Sequence, residues 1–308
     1  MPSWNDVLNE IRQQELEKQE AVEAAHSISP LDTIRGKYLS ALGDLRDRNI
    51  ICYYSGWLQN EPGVPSSIED DDMNGFMNAV HDLDRSKGLD LILHTPGGDL
   101  AATEAIVSYL RSCFQNDICA IVPQMAMSAG TMIACSCKSI IMGRQSSLGP
   151  TDPQLGGVPA GGVIEEFENA IREIEEVPSS AVLWSQIIGK YHPTFLGECQ
   201  KAVDASRDIV GRWLKQNMFE DDHDREEKAD VIVDRLCDHK QSAMHNRHFS
   251  YDDLKAIGMK VTLMEEAGEL QDAILTVHHA FMNTFALTDA VKIIESSNGK
   301  RWIRSVST

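Results

Sequence analysis

The chain has 308 residues, enough for one large α/β domain or for such a domain with a helical extension. Its formal net charge of −19 argues against nucleic acid and against an anionic membrane surface, since lysine and arginine dominate contacts to both. The seven cysteines contain no C-x-x-C pair and sit largely in apolar runs, so they read as buried free thiols in a reducing cytoplasm.

The N-terminal stretch MPSWNDVLNEIRQQELEKQE carries acids and no long apolar core, so it reads as neither a secretory signal nor an anchor. No apolar run reaches the roughly eighteen residues of a membrane span, and a soluble protein is expected. Residues 3–25 read as an exposed helix, an arm for assembly, ended by Ser29-Pro30 and followed by a second helix over 31–48. A strand over 50–54 leads into a loop with Pro62 and Pro65. Met73, Phe76, Met77, Val80 and Leu83 then fall at helical spacing and predict an amphipathic helix over 68–86. Its acidic run Glu69-Asp70-Asp71-Asp72 suits a first helical turn.

Strands over 89–94, 118–122 and 139–142 alternate with helices over 100–114 and 130–137, which predicts a mainly parallel sheet with right-handed crossovers. The stretch GGVPAGG at 156–162 is either a linker or a mobile substrate-binding edge, and the second reading is preferred. Helices follow over 163–174, 180–188, 194–218 and within 221–239, then a short helix at 251–258, a strand at 260–263 and a last helix over 270–287. The tail beyond 296 has no clear pattern. The expected division is an N-terminal helical arm over 1–48, one domain over 49–290 and a tail over 291–308.

Two strands end in breaks that carry chemistry. The first break is Thr95-Pro96-Gly97-Gly98-Asp99, where paired glycines can turn backbone N–H groups into a cavity. The second runs from Pro123 to Thr131 and holds Ser128 ahead of Ala129-Gly130. A serine in a sharp strand-to-helix turn can act as a nucleophile. Gly97-Gly98 and Ser128 therefore read as two halves of one site, oxyanion-binding amides and an attacking hydroxyl.

TPGGD, then MSAGT, then SSLGPTDPQLGG together resemble the Clp peptidase/crotonase superfamily. Within it, the chain is most similar to the serine dehydrogenase proteinase family, relatives of signal peptide peptidase A. The resemblance is strongest over 49–157 and continues to about residue 275. It implies a Clp/crotonase-type α/β spiral of parallel strands and helices with a helical C-terminal annex. It also implies a serine endopeptidase acting on peptides or unfolded protein, and a homo-oligomer in which amphipathic N-terminal helices bury their apolar faces. By the same resemblance Gly98 and Ala129 supply the oxyanion N–H groups, and Gly97 lets the chain approach closely. The pattern around the serine is A-x-S-x-G, through Ala126, Ser128 and Gly130, rather than the hydrolase G-x-S-x-G.

The general base is less defined. Clp peptidases place a histidine where this chain has Asp152, and no histidine lies between Ser128 and His192. Signal peptide peptidases use a lysine, which needs a lowered pKa to take a proton. Lys190, in IIGKYHPTF, is the preferred candidate, with Lys201, His192 and Asp152 as alternatives. His94 is expected at the strand end lining the site. His239, His245 and His248 have no zinc-like spacing and read as exposed side chains. No G-x-G-x-x-G occurs, so no nicotinamide or other cofactor is expected. Two rivals remain: a crotonase-type acyl-thioester enzyme, and a degenerate relative that binds peptide or serves as an assembly subunit.

Overall fold

The computed structural model describes residues 4–20, 29–237 and 247–306. The first half of the chain runs α1 (Trp4–Glu20), α2 (Pro30–Arg46), β1 (Asn49–Ser55), α3 (Asp72–Val80), β2 (Leu89–His94), α4 (Leu100–Phe114), β3 (Ile118–Val122), β4 (Met125–Ala126), α5 (Ala129–Cys135) and β5 (Ser139–Met142). It continues with β6 (Ser147–Leu148), β7 (Gln154–Leu155), β8 (Val158–Pro159), α6 (Ala160–Glu176), α7 (Ala181–Ile188), α8 (Phe195–Trp213) and α9 (Arg225–Cys237). The described chain closes with α10 (Tyr251–Ala256), β9 (Val261–Leu263), α11 (Gly268–Leu287), β10 (Ala290–Ser296) and β11 (Arg301–Ser305).

Seven strands form one sheet in the order β11-β10-β1-β2-β3-β5-β9. The run from β1 to β9 is parallel, and β10 and β11 add antiparallel at the β1 edge. The inner strands are apolar along their whole length because helices cover both faces. Alternation decides which face each residue serves. Ile51 and Tyr53 enter the core beneath α3, α4, α5, α8 and α9, whereas Ile50, Cys52 and Tyr54 enter the core beneath α2 and α11. The protein is thus a mixed α/β fold around a mostly parallel sheet. Its helical annex is α6 to α10, after which the chain returns to the sheet.

Several boundaries differ from the sequence reading. The helix expected from residue 68 begins at Asp72, because Ile68 is taken up in a parallel bridge to Gly98. The N-terminal arm is docked on its own chain: Val7, Ile11, Leu31 and Ile34 bury against Ala280 of α11. These four apolar side chains of the arm are thus covered within the chain itself. The tail over 291–308 contains most of β10, every residue of which is buried, and all of β11. GGVPAGG is no linker. Gly156 and Gly157, with φ of 61° and 81°, turn the β7–β8 hairpin, and Gly161 and Gly162 lie in the first turn of α6.

Candidate active site

The two breaks meet at the C-terminal ends of β2 and β3, where an α/β sheet presents its ligand crevice. Thr95 pairs with Ala126 through N–H to the Met125 carbonyl at 3.1 Å and from the Met127 N–H at 3.0 Å. This short parallel contact sets Gly97 against Ser128. A Cβ on Gly97 would lie 2.7 Å from Ser128 Cβ and 2.8 Å from the Met127 carbonyl, so only glycine permits the approach. Gly130 is equally constrained, since its Cβ would meet Thr95 Cγ2 at 2.5 Å. Asp99, the last residue of the first motif, serves the fold rather than the chemistry. Its Oδ1 accepts from Ala102 N–H at 2.8 Å and caps α4.

Ser128 is the N-cap of α5 with φ 50° and ψ −116°, a conformation that non-glycine residues adopt at a cost. The next amide, Ala129 N–H, opens the helix and has no intrahelical acceptor. The Gly97 N–H donates to Thr95 Oγ1 at 3.2 Å. Gly98 bridges Ile68 through its neighbours: Ile68 N–H donates to the Gly97 carbonyl at 2.8 Å, and Asp99 N–H to the Ile68 carbonyl at 2.9 Å. That pattern leaves the Gly98 N–H facing away from Ile68. Among the described residues, neither Gly98 N–H nor Ala129 N–H has a hydrogen-bond acceptor.

A cleft of about 450 Å3 opens over these groups. Ser67, Gly97, Gly98, Ser128 and Ala129 line it together with Thr151, Gln154, Leu155, Ala202 and Ser206. Leu100 and Met132 add apolar surface. Of the lining residues, Thr151, Gln154 and Leu155 fall in the TDPQLGG motif, whereas Ala202 and Ser206 were not legible as part of the site. Ala202 and Ser206 are small residues one turn apart on α8, a visible spacing, but the sequence does not tell what α8 crosses.

The base candidates are dispersed. Lys190, His192 and Lys201 are exposed, and none lines the cleft. His192 Nδ1 lies 3.0 Å from Thr194 Oγ1. Lys201 adjoins the cleft-lining Ala202, whereas Lys190 follows α7 near Phe195, at the far end of α8. Asp152 is buried, 1% exposed, between the lining residues Thr151 and Pro153. The expected place of His94 at the cleft needs correcting. It is fully buried on the opposite face of the sheet, among Tyr54, Trp57 and His278. Burial holds its pKa down, to about 3. Of the histidines expected to be exposed, His239 and His245 lie outside the described residues, and His248 sits with Nδ1 2.7 Å from Ser147 Oγ.

A sharp turn carrying a serine is thus set directly against a glycine turn, and both line one cleft at the C-terminal edge of a mostly parallel sheet. The chain belongs to the ClpP-like SDH-type serine proteinase family, which it matches over residues 63–273. Two similar proteins are MJ0137 and MJ1495 of Methanocaldococcus jannaschii, both described as uncharacterized and each 28% identical over 201 residues. The similarity covers 65% of this chain, and the chain spans 63% and 61% of their lengths. Among solved structures, a mutant of the 1510-N membrane-bound stomatin-specific protease aligns over 67% of this chain and 79% of its own, with 15% identity and a TM-score of 0.40. In this chain no described helix is long and apolar enough to cross a membrane.

Proposed function

We propose that this protein is a serine endopeptidase for peptides or unfolded polypeptide, with Ser128 as nucleophile. The observation that carries the reading is the strained Ser128 turn beside two unengaged amides in an open cleft. Ser128 Oγ attacks the substrate carbonyl carbon. The carbonyl oxygen becomes an oxyanion held by Gly98 and Ala129 N–H, the amine leaves with a proton, and water hydrolyses the acyl-enzyme. Gly97 contributes by its missing side chain, because its own N–H is engaged by Thr95.

The lysine base belongs to the same proposal, and we favour Lys201, whose chain neighbour Ala202 lines the cleft, over Lys190. Either must be desolvated by bound substrate before it can accept a proton. A second reading, peptide binding without turnover, is favoured by the exposure of Lys190, His192 and Lys201. Turnover of an unfolded protein by wild type, Ser128→Ala, Lys201→Ala and Lys190→Ala separates these readings. The proposal expects activity in wild type, none in Ser128→Ala, a loss in Lys201→Ala and little change in Lys190→Ala. Wild type without turnover at any pH, yet retaining unfolded substrate, supports the second reading.

A further inference from the structure

Beneath the cleft lies an ion pair that the chemistry above does not use. Lys292, on β10, is fully buried, and its Nζ lies 2.6 Å from Asp72 Oδ1 and 2.7 Å from Glu69 Oε1. The same ammonium donates to the Ser67 carbonyl at 3.1 Å. Asp72, also fully buried, accepts from Tyr53 OH at 2.8 Å and from Glu69 N–H at 3.0 Å. One residue before Ser67, the Ser66 carbonyl accepts from Ser55 Oγ at 2.6 Å. Arg304 of β11 closes the outer side on Glu69.

These contacts converge on one segment of backbone. Ser66 and Ser67 are held by their carbonyls and Glu69 by its N–H, and between them Ile68 uses both of its backbone groups on the Gly97–Asp99 turn. The packing there has no slack, for a Cβ on Gly98 would fall 2.3 Å from both the nitrogen and the oxygen of Ile68. Lys292 is itself no candidate base, because two carboxylates hold its ammonium in place. Two charges withdrawn from water here are costly unless paired, and their geometry serves the strand against which the glycine turn is set.

We infer that the Lys292–Asp72 pair is a positioning unit: it clamps 66–69, and that segment fixes the direction of the Gly98 amide toward the carbonyl oxygen of a bound substrate. The inference rests on the peptidase reading for its consequence and on β10, outside the matched 63–273 span, for its source. A β-strand from the C-terminal end of the described chain thereby becomes part of the support for the oxyanion turn.

The test compares wild type, Lys292→Met and Tyr53→Phe. Two quantities are measured: the rate of Ser128 labelling by a fluorophosphonate, and deuterium exchange of peptides covering 64–72 and 95–100. Loss of a whole oxyanion donor costs about 10²–10³ in rate, so a misdirected one in Lys292→Met should slow labelling by roughly tenfold or more. Tyr53→Phe, which keeps the ring stacked on Phe76 and removes the hydroxyl that bonds Asp72 and also meets Ser55 and Thr95, should slow it less. Exchange at Ile68 and Asp99 should quicken in both, while β3 and α11 keep wild-type protection at the same temperature. A Lys292→Met protein that labels at the wild-type rate, or exchanges like wild type in both peptides, overturns the inference. If Lys292→Met fails to fold, Tyr53→Phe decides by the same two outcomes. Wild type that does not label overturns the peptidase reading instead, and the exchange comparison then still decides whether the clamp exists.

Discussion

Ser128, Gly97 and Gly98 hold backbone conformations that shape the candidate site, and each can be tested by adding a methyl group to a glycine or removing the serine hydroxyl. Gly98→Ala places a Cβ against the Ile68 backbone, which cannot rotate aside as a side chain could. The variant should lose fluorophosphonate labelling and be destabilised by ~1–3 kcal/mol, a typical cost of overpacking, measured by urea unfolding. The meeting of these residues at two strand ends was legible from TPGGD and MSAGT in combination, since either motif alone is weak. The place of His94 was not legible. In the apolar run of β2 every residue is buried, so the run does not reveal which face meets the cleft.

Its true surroundings give a pH prediction. His94 packs among Tyr54, Trp57 and His278, and burial also pushes the His278 pKa well down, with His94 and His279 adding to the effect. An unfolded histidine has a pKa near 6.5. Between that value and about 3 the unfolded chain binds a proton that folded His94 does not, so stability falls as pH drops through this window. From pH 7 to pH 5 the His94 contribution alone is about 2 kcal/mol. Urea unfolding at both pH values should record the loss, and His94→Gln should reduce the difference by about that amount. An identical pH dependence in the variant would contradict the assignment.

At the scale of elements, α6 and α8 of the annex share a small core, Ala160, Val163 and Cys199 with Leu155, Phe167, Tyr191 and Phe195 around it. The sequence predicted these helices well because their apolar residues recur at helical spacing. It could not predict that α7, AVLWSQII, buries none of its residues. An apolar octet reads as core, yet Val182 and Leu183 are 74% and 61% exposed. Replacing both with serine should therefore leave the unfolding midpoint nearly unchanged, since exposed substitutions usually stay within about 0.5 kcal/mol. A drop of several degrees would mean that α7 packs against something in the folded protein.

Across the whole molecule, the least legible feature was the end of the chain. KIIES and RWIRS are short, carry charges and follow a long helix, so nothing local marks them as sheet strands. The structure sets β10 beside β1 with all seven residues buried, and its Glu295 pairs with the buried Arg35 of α2 at 2.7 Å. Truncation after Leu287 would strip a fully buried strand from the sheet and take Glu295 from Arg35 and Lys292 from Asp72. Breaking buried pairs in this way costs ~3–5 kcal/mol each, a large share of a domain's stability. The truncated chain should lose cooperative unfolding by calorimetry, and a sharp wild-type-like transition would show that the sheet closes without β10.

The proposed role of Ser128 as a nucleophile served by the amides of Gly98 and Ala129 is tested by mass-spectrometric mapping of the fluorophosphonate adduct. One modified residue, Ser128, is expected in folded wild type, and no adduct in Ser128→Ala that retains the wild-type unfolding midpoint. An adduct on another serine, or undiminished labelling of Ser128→Ala, would contradict it.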